Sequence, residues 1–436
     1  MDRKLIASLL SVSILSSTLA GCSGTGSAQS AAPAPTESAA VSGTRTITDM
    51  AGREVEIPAE IDSIATFGAV GVLNAFVELM GCGDKICNEM APSFTKNDKW
   101  AMQYKFAPQI ADGPVLENAD REVLIEEVLK LKPDLCLTMT KSTAEELADK
   151  GLTCVYLSWS EVGDVKTAVE LMGDILGKQD VAGDYITYFD DTVARAAELT
   201  SGLTDETRKT VLYGDVAGRS QPHMIAEWWI EAAGGISVTK DAHTEESLTY
   251  TTEDLLQWDP DVMLVTSKQA DELKADSQLS GITAIRDDAI YYVPTVAHVW
   301  GNRTVEQPLT ILWTLNKLYP DLYSTEELTQ DVRDFYSHYF LYDMTDEEIA
   351  KIIGRSPLLY LRKRQDRPAR DLPGRDGPRL PSVPIVLNGP FCDKTAYIFH
   401  RRSSLCYGSP STAKAASENP PPPRTCLWPC GSEGWG

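Results

Sequence analysis

The sequence predicts an α/β protein of two similar Rossmann-like lobes joined by a single long rigid helix. Three observations carry this expectation. Residues 126–138 read EEVLKLKPDLCLT and residues 253–265 read EDLLQWDPDVMLV. In each copy an amphipathic helix ends at Pro-Asp and a hydrophobic β run follows. Proline stops the helix, and the apolar run suits a parallel strand buried on both faces. Between the copies, residues 162–203 hold a helical period through Val165, Ala168, Val169, Met172, Ile175 and Leu176, then through Tyr185, Tyr188, Phe189, Val193, Ala196 and Ala197. A bend at Gly177 would split that stretch into two ordinary helices; either form connects two lobes.

The elements follow in order. Residues 47–58, ITDMAGREVEIP, alternate around an Ala-Gly turn and predict a hairpin. Residues 61–67 predict a short buried strand. Residues 70–80 have helical spacing and end at Gly81, a suitable C-cap. A further strand follows each repeat, at residues 152–159 and 289–294. The division is a signal segment 1–22, a linker 23–45, an N-terminal lobe 46–161, a linking helix 162–203, a C-terminal lobe 204–354 and a tail 355–436.

Charge separates the tail from the body. The chain of 436 residues has a formal charge of −23. Residues 355–436 hold 13 basic and 6 acidic residues, a net +7, which leaves 27 basic against 57 acidic residues, or −30, before them. An acidic body argues against nucleic acid as a partner. The tail also holds 13 of the 25 prolines and shows no sustained period. It reads as disordered or non-native sequence; the alternative is a small disulfide-linked module using Cys392, Cys406, Cys426 and Cys430. In the body, Cys136 and Cys154 sit in apolar runs and read as buried thiols. Cys82 and Cys87 are close enough in sequence to pair.

The N-terminus predicts export. Arg3 and Lys4 precede an apolar stretch, residues 5–19, of signal-peptide length and too short and polar to span a membrane. It ends in Leu19-Ala20-Gly21-Cys22. These four residues resemble the lipobox of bacterial lipoproteins, which implies that Cys22 is acylated (for example with palmitate) and becomes the mature N-terminus. Residues 23–45 are nearly all Ser, Ala, Gly, Pro and Thr. Such a segment buries too little apolar surface to fold and reads as a flexible tether.

Enzyme signatures are missing from the sequence. There is no GxSxG elbow and no HExxH. GDILGK at residues 173–178 is one residue short of a P-loop and lies within a helix. The body's histidines, His223, His243, His298 and His338, lack the spacing of a zinc site.

The ITDMAGREVEIP opening, the paired helix-Pro-Asp-strand units, EQPLTILWTLNKLYPDLY at 306–323 and LYDMTDEEIAKII at 341–353 resemble the solute-binding proteins of ABC importers for iron–siderophores, haem and cobalamin. The resemblance covers roughly residues 46–354. It implies an interlobe cleft, a monomer, a permease partner and no cofactor. The ligand it implies is an iron chelate, haem or cobalamin. A small oxyanion such as molybdate, or a metal–histidine complex, is the alternative. A surface adhesin or structural lipoprotein is the alternative of another class. The family places a glutamate on each lobe to meet the permease. At the N-lobe position stands Ala75, so Glu78, one turn later, is the candidate; in the C-lobe the candidates are Glu227 and Glu231.

Ligands of α/β lobes bind at the carboxyl ends of strands. That rule selects Phe67, Trp159, Arg219, His223, Tyr250, His298, Trp300 and Arg303, with Trp100 and Tyr104 on the N-lobe rim. Aromatic walls and placed cations suit a large chelate or macrocycle. Arg303 offers a guanidinium fork to an anionic edge.

Overall fold

The computed structural model describes residues 43–68, 71–95, 97–159 and 161–354. The signal segment with Cys22, nearly all of the linker, and the tail lie outside the described residues.

The chain opens on an antiparallel hairpin, β1 (Thr44–Thr48) with β2 (Glu54–Pro58). Asp49 organises its turn, accepting from the backbone of Ala51 and Arg53 and from the Arg53 guanidinium. The N-lobe sheet is parallel, in the order β3 (Ile64–Phe67), β4 (Leu135–Thr138), β5 (Cys154–Tyr156). Its helices include α1 (Val72–Leu79), α2 (Ile125–Leu131) and α3 (Lys141–Asp149).

The linking stretch is two helices, α4 (Val162–Leu176) and α5 (Gln179–Thr200), and not the single helix expected. Gly177 adopts φ +64, and the Lys178 N–H bonds the Gly173 carbonyl at 2.7 Å. That left-handed residue ends α4, as helix C-termini commonly do. The chain then folds back. Lys166 pairs with Asp190, and its ammonium lies 4.8 Å from the Phe189 ring centroid. A Cβ on Gly173 would lie 2.6 Å from the Ala182 side chain, so this glycine lets the two helices close at the bend. α4 packs on α1 of the N-lobe. The 22-residue α5, about 33 Å long at 1.5 Å per residue, packs on the C-lobe helices.

The C-lobe sheet is also parallel. Its order is β9 (Ile290–Tyr292), β8 (Val262–Val265), β6 (Thr210–Gly214), β7 (Ile236–Ser237). Around it lie α6 (Ile225–Ala232), α7 (Thr252–Trp258) and α8 (Gln307–Leu318). The chain closes on α9 (Thr325–Tyr339) and α10 (Asp346–Ile352), each opened by a capping box.

The repeated Pro-Asp unit does the same work in both lobes. Lys132 and Asp259, just before the prolines, take positive φ of 54 and 38 and end their helices. Asp134 then accepts from the Ser63 backbone at 2.9 Å, at the start of the neighbouring strand. Asp261 accepts from the Thr210 backbone at 2.9 Å in the same way. Each aspartate thereby ties the entry of its own strand to the entry of the next.

Cys82, Cys87, Cys136 and Cys154 are free thiols, and burial raises the pKa of each. No helix among the described residues is long and apolar enough to cross a membrane.

Candidate functional site

The segments that follow β3 in the N-lobe and β9 in the C-lobe meet at the turn of residues 295–300, where Gly71 lies against Ala297 and His298. One buried carboxylate holds that turn. Glu306 accepts from the Ala297 N–H at 3.0 Å, the His298 N–H at 2.7 Å, the Trp300 indole at 3.1 Å and the Tyr336 hydroxyl. Burial pushes its carboxyl up to about 7 against the pull of those donors. A buried carboxylate persists only with such partners.

The N-lobe reaches this turn through amides and a ring. Thr66 donates to Asn74 at 2.7 Å, Asn74 to Gln103 at 2.9 Å, and Gln103 across the lobes to the Ala297 carbonyl at 2.7 Å. Trp100 stacks on His298 with centroids 5.5 Å apart and planes at 28°. Gly71 makes room for this contact: at φ +91, its Cβ would lie 2.7 Å from Trp100 and 3.2 Å from His298 Nδ1.

Polar groups converge on the stack. Burial, with the charges of Lys99 and His223, pushes the His298 imidazole down to about 3 and keeps it neutral. Its Nε2 lies 3.3 Å from the Asn302 amide, and its Nδ1 has no hydrogen-bond partner. Burial likewise lowers the pKa of Lys99, which lies 5.9 Å from the Trp100 ring centroid. Arg303 Nη1 donates to Glu246 at 2.6 Å and Nη2 to its other oxygen, while His223 Nδ1 faces Glu246 at 2.9 Å.

Of the residues selected from sequence, Trp100, His223, His298 and Arg303 come together here. Tyr104 stays at the N-lobe rim, donating to Glu89 at 2.9 Å. The rest serve the lobes themselves. Phe67 is buried in the N-lobe core. Trp159 is buried against Phe76, with centroids 4.7 Å apart. Trp300 is fully buried and bound to Glu306. Tyr250 is buried edge-on to Trp258. Arg219, at φ +55, spends its guanidinium on the Val216 and Ala217 carbonyls and Thr252.

Two of the expected docking glutamates are also committed inward. Glu78 is 2% exposed, accepts weakly from Gln103 at 3.4 Å, and has its carboxyl pKa raised well above the usual range by burial and by the Glu306 charge. Glu227 accepts from Gln221, Thr239 and His243 within its own lobe, at 2.7–3.0 Å. Glu78 is buried, and Glu227 keeps only a small part of its side chain exposed. Glu231 keeps a partly exposed side chain, paired with Lys240.

Sequence reasoning missed Gly71, Lys99, Gln103, Glu246, Asn302 and Glu306. A signal existed for one group. α1 is buried at every position, yet carries Asn74 and Glu78 at i and i+4, and both turn to Gln103.

A groove of about 500 Å³ lies at the opposite end of the N-lobe strands, beside Arg45, Asp62, Lys85 and Asp174. Its cations, Arg45 and Lys85, are already bound to the carbonyls of Asp174, Ile175 and Ile61. Among the described residues no group of three His, Cys, Asp or Glu side chains is placed to hold a metal ion.

Residues 89–297 match the family described as periplasmic binding protein. The molybdate-binding protein MolA of Haemophilus influenzae is 22% identical over 329 residues, 68% of this chain and 91% of its own. Its molybdate-bound structure aligns with a TM-score of 0.59 at 20% identity, covering 69% of this chain and 99% of that one. A periplasmic solute-binding protein of Veillonella parvula aligns with a TM-score of 0.63 at 25% identity, covering 72% and 97%. A cobalamin-binding protein of Halobacterium salinarum is 29% identical over 195 residues, 42% of this chain; the match spans 51% of that relative.

Proposed function

We propose that this chain is a periplasmic solute-binding protein of an ABC importer, a carrier of cargo and not an enzyme, and that its cargo is a compact anion held on the polar floor of the C-lobe beside the Trp100–His298 stack. The observation that carries this reading is the convergence of two cations, Lys99 and Arg303, with the His223 and His298 imidazoles within a strongly acidic body. An anion gains about 4 kcal/mol from a cation 4 Å away at an effective dielectric near 20. Arg303 and Asn302 add directional donors. Molybdate is the first candidate, in keeping with the likeness to MolA. Four of the aromatic residues expected to wall a macrocycle, Phe67, Trp159, Tyr250 and Trp300, are buried within their lobes. A second reading, an iron–siderophore, haem or cobalamin, draws on the N-lobe rim, where Phe94 stands edge-on to Trp100 at 5.4 Å with Tyr104 nearby.

Calorimetric titration of the full chain with molybdate, a ferric catecholate siderophore, haemin and cobalamin separates the two. The expected result is tight molybdate binding, weakened about 100-fold by Arg303→Ala, the order of losing one buried charge-assisted contact. Tight binding of haemin or cobalamin with no response to molybdate would sink the compact-anion reading. Delivery would follow the lipid: acylation of Cys22 holds the carrier near the permease and raises its local concentration there. Cys22→Ala should move the protein from the membrane to the soluble fraction; retention after alkaline washing would refute the anchor. Glu231 is the C-lobe residue best placed to meet that permease.

A further inference from the structure

We propose that Glu246 is a built-in competitor for the cargo, a tethered carboxylate on Arg303 and His223 that sets how strongly an anion must bind to be retained. This rests on the reading that those two residues face the cargo.

The geometry is that of a ligand contact made by the protein's own side chain. Both oxygens of Glu246 engage the fork of Arg303, and one also faces His223 Nδ1 at 2.9 Å. Paired forks of this kind are the arrangement by which arginine recognises free carboxylates and oxyanions. Burial is asymmetric. The Arg303 side chain is 12% exposed and the Glu246 side chain 52% exposed. The cation therefore belongs to the floor of the site, and the acid leans onto it from the solvent side. Their supports differ too. Arg303 follows the turn that Glu306 pins, whereas Glu246 lies among exposed residues 244–247, outside regular structure. Burial pushes the Glu246 carboxyl up, but hydrogen bonds from Arg303 and His223 outweigh it and hold the group ionised below its usual range.

A second anion on the same fork would lie against this carboxylate, and two like charges at that distance repel. The cargo must displace Glu246. A tethered group acts at high effective concentration, so weak monoanions lose the competition and a dianion with more acceptor oxygens wins it. The role is that of a specificity-determining residue, acting through Arg303 and His223.

The test is titration of the full chain and its Glu246→Gln variant with molybdate, sulfate and acetate. Gln keeps the shape and removes the charge at an exposed position. Glu246→Gln should bind molybdate about 10-fold more tightly and sulfate more tightly still, so that the preference between them narrows. The His223 imidazole should titrate at lower pH in the variant, since it loses an anionic neighbour; NMR reads this without any ligand. If wild type binds molybdate and the variant binds it equally or more weakly, the competitor role is overturned while the cargo reading stands. Binding by the variant alone would support the competitor role in its strongest form. If neither protein binds any of the three anions, the cargo reading fails, and this proposal fails with it.

Discussion

On the N-lobe side the contact is built mainly from neutral groups, the amides of Asn74 and Gln103, the Thr66 hydroxyl and the Trp100 ring, with the Lys99 ammonium beside that ring. On the C-lobe side it is built from charge: Arg303, His223 and Glu246 above a turn anchored on the Glu306 carboxylate. Yet both lobes rest on the same helix-Pro-Asp-strand unit, with Asp134 and Asp261 tying adjacent strands alike. The difference teaches that the repeated unit sets the frame and the segments after the strands set the chemistry. A neutral, interlocked face positions the partner lobe. A charged face, partly open to solvent, is the one proposed to discriminate among ligands.

The comparison breaks most completely at Glu306. Glu306→Ala leaves the Ala297 and His298 N–H groups, the Trp300 indole and the Tyr336 hydroxyl without their shared acceptor in a buried site. Removing one partner of a buried charged network typically costs about 3–5 kcal/mol. The expected outcome is a fall of that size in urea unfolding, with cargo binding lost in the protein that still folds, because His298 and Arg303 depend on the same turn. Tyr336→Phe removes one of the four donors and should cost about 1–2 kcal/mol. Equal stabilities for Glu306→Ala and wild type would mean that the turn holds itself.

Much of this frame is legible in the sequence. The hairpin, the two parallel sheets and the paired units follow from alternation, Pro-Asp stops and apolar runs. His298 and Arg303 were found because they follow a strand end. The same rule also selected Phe67, Trp159, Trp300 and Tyr250, which pack inward. Whether a ring at a strand end faces the cleft or the core depends on its neighbours across the fold, such as Phe76 for Trp159, and no local pattern encodes that. The break at Gly177 was visible as a glycine, but the return of α5 along α4 depends on the close approach at Gly173. Glu306 stands at the head of a recognised motif, but its role comes from a turn 6–9 residues earlier and from Tyr336, 30 residues later.

Glu78 gives the gentlest test of the neutral N-lobe face. Its carboxyl is buried, its Oε1 has no hydrogen-bond partner, and burial together with the Glu306 charge raises its pKa well above the usual range. A group raised in this way favours the folded state fully below its unfolded pKa, about 4.3. Above that pH the unfolded chain releases the proton and the folded chain keeps it, so stability falls with rising pH by up to about 1.4 kcal/mol per unit. Glu78→Gln removes that slope and keeps an acceptor for Gln103. Wild type should therefore lose stability relative to the variant as the pH rises above about 4.3, read from urea unfolding at each pH. Glu306, with its carboxyl near 7, adds a slope of the same sign in both proteins, which the comparison largely subtracts. Parallel pH profiles would show that Glu78 carries charge inside the fold, and the N-lobe face would then be as ionic as the face it meets.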